Sequence, residues 1–121
     1  MTTCLSGRKV LVAEDNVILS MHLSDLLEGA GATVVGPYPF ADEAMAALDG
    51  GACPDLAVLD FDLAGGTSET IASRLQGMGV PFAFFTSYAA SDLHGWGADT
   101  PVISKPNEDG VLLAAVAGLV S

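Results

Sequence analysis

Residues 56–60 read Leu-Ala-Val-Leu-Asp, four apolar residues ending in a carboxylate. A short run that is apolar without alternation marks a strand covered on both faces, as in a parallel sheet. A carboxylate at its carboxyl end is costly to bury unless it has a partner or a task. Three other runs end in the same way. Val10-Leu11-Val12-Ala13 leads into Glu14-Asp15, Phe82-Ala83-Phe84-Phe85 ends in Thr86, and Val102-Ile103-Ser104 precedes Lys105-Pro106. Four strand ends therefore deliver three acids, a hydroxyl and an ammonium.

Working outward from these runs, strands are expected over 9–13, 33–36, 56–60, 82–86 and 102–104, with helices over 16–28, 41–48, 68–76 and 107–120. In the first helix Leu19, Leu23, Leu26 and Leu27 recur at helical spacing. Asn16 suits its N-cap and Gly29 its C-cap. Asn107 suits the N-cap of the last helix, with Glu108 and Asp109 favourable in its first turn. Strand–helix alternation implies right-handed crossovers and an open, doubly wound α/β sheet. Such sheets bind ligands at the carboxyl ends of their strands, and the acids, Thr86 and Lys105 all map to that edge. Residues 87–100, SYAASDLHGWGADT, break the pattern. Gly95 and Gly97 each cost a helix about 1 kcal/mol there, so a loop with at most one helical turn is expected.

The 121 residues fit one domain, 1–121, large enough to bury its own core without a metal or disulfide. Half of them are hydrophobic, which excludes disorder. No apolar run approaches the roughly 18 residues of a membrane span. Residues 1–8 lack the apolar core of a signal peptide, and the expected location is cytoplasmic. A net charge of -11 with only four Lys or Arg argues against a nucleic-acid or anionic-membrane surface. Cys4 and Cys53 have no metal-site spacing and read as reduced thiols.

The strand-end residues suit a divalent metal and a phosphoryl group on Asp60. Aspartate is a poor nucleophile towards a phosphoryl group unless a cation cancels the repulsion between the two anions. Hard cations such as Mg²⁺ or Mn²⁺ take oxygen ligands, here Asp15 and Asp60 directly, Glu14 directly or through water, and the backbone carbonyl of Asp62. Lys105 can pair with a phosphoryl oxygen and Thr86 can donate a hydrogen bond to it. Singly, each residue has a plainer reading. Acids begin helices, threonine favours strands, and a lone lysine is ordinarily a surface charge. Their convergence on one edge is what selects the site.

From end to end the chain resembles a response-regulator receiver domain, through VLVAEDN at 10–16, LAVLDFDL at 56–63, FFTS at 84–87 and ISKP at 103–106. The resemblance implies a flavodoxin-like sheet of order 2-1-3-4-5 and a cis Lys105–Pro106 bond. It also implies Mg²⁺-dependent phosphotransfer onto Asp60 from a histidine kinase or a histidine phosphotransfer protein, with signalling by protein–protein contact. Val102 stands where receivers commonly carry Tyr or Phe, three residues before the lysine. Leu63-Ala64-Gly65-Gly66 stands where a Met-Pro is usual. Residues 81–88, PFAFFTSY, instead resemble the alphaproteobacterial FATGUY receivers, with Ser87 in place of the motif's glycine. That resemblance implies a reduced fourth helix and makes Tyr88 the candidate switch aromatic, alongside Thr86.

Two alternatives carry other functions. Asp60-Phe61-Asp62-Leu63 looks like the Asp-x-Asp signature of haloacid-dehalogenase-like phosphatases, but their acidic metal pair follows the lysine, and here Glu14-Asp15 come first. A pseudo-receiver, a binding module never phosphorylated, sits poorly with an intact Glu14, Asp15, Asp60, Thr86 and Lys105. In either receiver reading no turnover of an external substrate is expected. The final helix, VLLAAVAGLV at 111–120, has no charge on any face. Its outward side is expected to expose two or three of Leu112, Ala115, Val116 and Leu119 and to contact a second copy or a helical partner.

Overall fold

Residues in a strand point alternately to opposite faces, so a strand buried on both sides must be apolar at every position. In the computed structural model, which describes residues 5–64, 66–86, 102–104 and 109–119, the central strands obey this rule. β1 (Lys9–Ala13), β3 (Leu56–Leu59) and β6 (Phe82–Thr86) are buried throughout except at Lys9. With β2 (Thr33–Tyr38) and β7 (Val102–Ser104) they form one parallel sheet in the order β2-β1-β3-β6-β7. A separate antiparallel hairpin, β4 (Asp62–Leu63) with β5 (Gly66–Thr67), follows β3. Without that hairpin the order is the 2-1-3-4-5 expected.

Alternation divides the core in two. Val10, Val12, Val58, Ala83 and Phe85 pack with Leu23 and Leu27 of α1 (Val17–Gly29) and Leu112 and Val116 of α4 (Asp109–Gly118). Leu11, Ala57, Leu59 and Phe84 pack on the other face with Ala44 and Leu48 of α2 (Ala41–Asp49) and with Ile71 and Leu75 of α3 (Glu69–Met78). Phe84 is fully buried and meets Phe61 and Phe82 edge-on, with ring centroids 5.7 and 5.6 Å away. Each such side chain contributes about 1.5–3 kcal/mol by leaving water.

Several boundaries move. β2 runs past Gly36 to Tyr38, with a register irregularity opposite β1 between Leu11 and Ala13. Gly36 makes this passage at φ 109, and a Cβ there would come within 2.9 Å of the Tyr38 amide nitrogen. Asn16 does cap α1, its Oδ1 accepting from the Leu19 amide at 3.0 Å. Gly29 is not the C-cap: it is the last helical residue, Ala30 is the cap, and the left-handed turn falls on Gly31 at φ 97. A Cβ on Gly31 would lie 2.8 Å from Ser6 Cα, which is why the glycine is needed there. Asp60 lies just beyond β3, and α3 extends to Met78 before turning at Gly79.

The last helix corrects the expected outer face. Leu112 and Val116, one turn apart, are buried in the core, and Ala115 and Leu119 lie half-buried at its margin. Ala114 and Gly118 face outward. The sheet takes the side chains with most apolar area, because they gain most from burial. Among the described residues of α4, the exposed positions are therefore small, Ala114 and Gly118. The segment 87–100, the reduced fourth helix expected in it, the Asn107 cap, Cys4 and the Lys105–Pro106 bond lie outside the described residues.

Candidate functional site

The site is built by register. Ala13 pairs with Leu59 and Leu59 with Phe84, so the residues that follow β1 and β3, Glu14 and Asp60, emerge side by side at the carboxyl edge. The Asp60 amide donates to the Ala13 carbonyl at 2.8 Å, and the Glu14 amide donates to the Tyr38 carbonyl at 3.0 Å. One carboxylate oxygen from each of Glu14, Asp15 and Asp60 lies within 4.8 Å of the others. Glu14 is 2% exposed and Asp60 8%, whereas Asp15 is exposed. Glu14 Oε2 also accepts from the Asn16 amide at 3.1 Å, which ties the cluster to the start of α1. Like charges at this spacing repel each other. A cluster of oxygen donors with that repulsion fits a hard divalent cation.

Thr86 ends β6, paired with Ser104 of β7, and is 1% exposed. Asp62 opens β4 opposite Thr67, two residues beyond Asp60, with its side chain exposed. The structure thus brings Glu14, Asp15 and Asp60 together and puts Thr86 two residues beyond Phe84, the partner of Leu59. Lys105 and Tyr88 lie outside the described residues; Lys105 directly follows Ser104.

One feature escaped the sequence reading. Val17, Ile18 and Met21, at the start of α1 and immediately after the acids, are 68%, 81% and 61% exposed. Their signal was available, since they fall outside the Leu19, Leu23, Leu26 and Leu27 stripe that marks the buried face.

No family model matches the chain. Over 89 residues, 72% of its length, it is 32% identical to the phyllosphere-induced regulator PhyR of Methylorubrum extorquens. It spans 33% of that protein's length. The solution structure of SdrG from Sphingomonas melonis superposes over 99% of this chain and 100% of SdrG, with 30% identity and a TM-score of 0.80. The REC domain of the PhyR response regulator from Erythrobacter litoralis superposes over 95% of this chain and 91% of its own, with 26% identity and a TM-score of 0.79. The chain belongs to the receiver domains of response regulators. Receiver domains are signalling modules rather than enzymes of substrate turnover. Among the described residues of this receiver no helix is long and apolar enough to cross a membrane.

Proposed function

We propose that this receiver accepts a phosphoryl group on Asp60 from a histidine kinase or a histidine phosphotransfer protein, with Mg²⁺ or Mn²⁺ held by Glu14, Asp15 and Asp60. The observation that carries the reading is the convergence of those three carboxylates at the edge where parallel sheets bind their ligands. When bound, the cation supplies charge neutralisation between the carboxylates and an incoming phosphoryl group. The backbone carbonyl of Asp62 is a further candidate oxygen.

In the transfer a carboxylate oxygen of Asp60 bonds to phosphorus and the donor's P–N bond breaks. Its electron pair returns to the imidazole nitrogen, leaving an acyl phosphate on Asp60. Burial of Glu14 and Asp60 favours a fixed carboxylate geometry over a solvated one, the kind of positioning that phosphoryl transfer depends on. Thr86 and Lys105 are the groups proposed to bond the phosphoryl oxygens, and Tyr88 the aromatic proposed to respond. The start of α1 lies directly after Glu14 and Asp15, beside the edge a phosphodonor protein would face. Val17, Ile18 and Met21 supply there the exposed apolar surface on which a helical partner would settle.

The test is labelling with acetyl phosphate. One phosphoryl group per chain is expected with Mg²⁺ and none with a chelator, and Asp60→Asn abolishes it. No labelling of the native chain under any of these conditions, despite proper folding, is the pseudo-receiver's result.

A further inference from the structure

On the opposite side of the sheet from α1, a groove of about 580 Å³ opens between α2 and the β4–β5 hairpin. Phe40, Met45, Ala46 and Ala64 form its apolar lining, and Asp42 and Asp49 stand on it as well. Its walls are fixed by the backbone. The Ala64 amide donates to the Pro39 carbonyl at 3.0 Å, and Phe40 and Ala64 form an isolated parallel bridge. Phe40 occupies the N-cap of α2, where a polar residue would ordinarily satisfy an orphan amide, and makes no side-chain cap bond. It stands 45% exposed instead.

The charges are as informative as the apolar lining. Asp42 and Glu43 lie in the first turn of α2, where the helix dipole favours them. Asp49 lies in the last turn, where the dipole opposes it, and is held by an ion pair rather than by the helix. Its partner is Arg74 of α3, at 2.6 Å, and Arg74 is the one Lys or Arg between residues 10 and 104. Among the described residues the groove therefore combines exposed apolar surface with acids in excess of nearby cations.

We propose that this groove docks a short basic segment of a partner protein, which inserts one apolar side chain beside Phe40 and Met45 and sets Lys or Arg against Asp42, beside the Asp49–Arg74 pair. Charge selects among occupants. A second copy of this chain carries a net charge of -11 and is repelled, whereas a basic segment is attracted. The volume suits one or two large side chains and falls within the usual range for ligand pockets, about 300–1,000 Å³. The proposal does not depend on the chemistry of Asp60.

A random peptide library displayed on phage, selected on the intact chain and counter-selected on Ala46→Arg, tests it. Ala46 is exposed, so the variant blocks the groove without entering the core. The expected survivors carry two or more Lys or Arg around one Leu, Met, Phe or Trp. A synthetic survivor then shifts the amide resonances of Phe40, Met45, Ala46 and Ala64. Its affinity falls about tenfold or more, at least about 1.4 kcal/mol, in Ala46→Arg and in the independent charge variant Asp42→Lys. Survivors without a basic pattern, resonance shifts on α1 or at the acid cluster, or equal binding to both variants overturn the proposal. So does concentration-dependent self-association that shifts these same amides, which would make the occupant a second copy.

Discussion

Glu14 and Asp60 are buried carboxylates whose oxygens strand register brings within 4.8 Å of each other. A divalent cation held there binds the folded chain alone. Mg²⁺ should therefore raise the melting temperature of the native chain by mass action and leave that of Asp60→Asn little changed. A variant that gains as much from Mg²⁺ as the native chain would contradict the metal assignment. Ser68 gives a second test at this scale. Its hydroxyl is fully buried, has no hydrogen-bond partner among the described residues and does not cap α3. Ser68→Ala should stabilise by about 1 kcal/mol, because the desolvated hydroxyl gains nothing in the fold. A loss of stability on denaturant titration would mean that the hydroxyl is engaged. The positions of Glu14, Asp15, Asp60 and Thr86 were legible because each ends or follows an unbroken apolar run. The absence of a partner for Ser68 was not legible, because it depends on how the hairpin before α3 folds.

The elements differ in how far local sequence determines them. β1, β6 and β7 have the bounds expected, since continuous apolar residues admit no other placement in a sheet covered on both sides. The β4–β5 hairpin was missed: two residues per strand give no period to detect, and Asp62, Leu63, Gly66 and Thr67 carry no strong strand preference as a set. The second strand was expected only over 33–36, yet β2 continues through Pro37 to Tyr38 because it is an edge strand, where a missing amide donor is tolerated. The outward face of α4 was misread because a helix apolar all round has no phase in its sequence; only packing against the sheet decides which side is buried. α1 shows the opposite case, with a clear buried stripe and a separate exposed patch. Ile18→Glu should slow transfer from a phosphorylated histidine protein about tenfold or more, while labelling by acetyl phosphate is unchanged. Equal slowing with both donors would place Ile18 in the acid cluster's support rather than in partner contact.

At the scale of the molecule, one strand order does two jobs. It separates the core into an α1–α4 face and an α2–α3 face, and it collects the ends of β1, β3 and β6 at one edge. The acid cluster at that edge, the apolar patch that begins α1 and the groove beside α2 are then distinct surfaces of one receiver, proposed here for metal and phosphoryl chemistry, donor approach and partner docking respectively. The central claim is that Asp60 receives the phosphoryl group. The most direct measurement is to phosphorylate the intact chain in Mg²⁺, reduce the acyl phosphate with borohydride and map the product by peptide mass spectrometry. Reduction converts a phosphorylated aspartate into homoserine, which marks its position permanently. The account predicts homoserine at Asp60 and at no other acid. Homoserine at Asp15 or Asp62, or a phosphoryl group that resists borohydride because it sits on a hydroxyl, would contradict it.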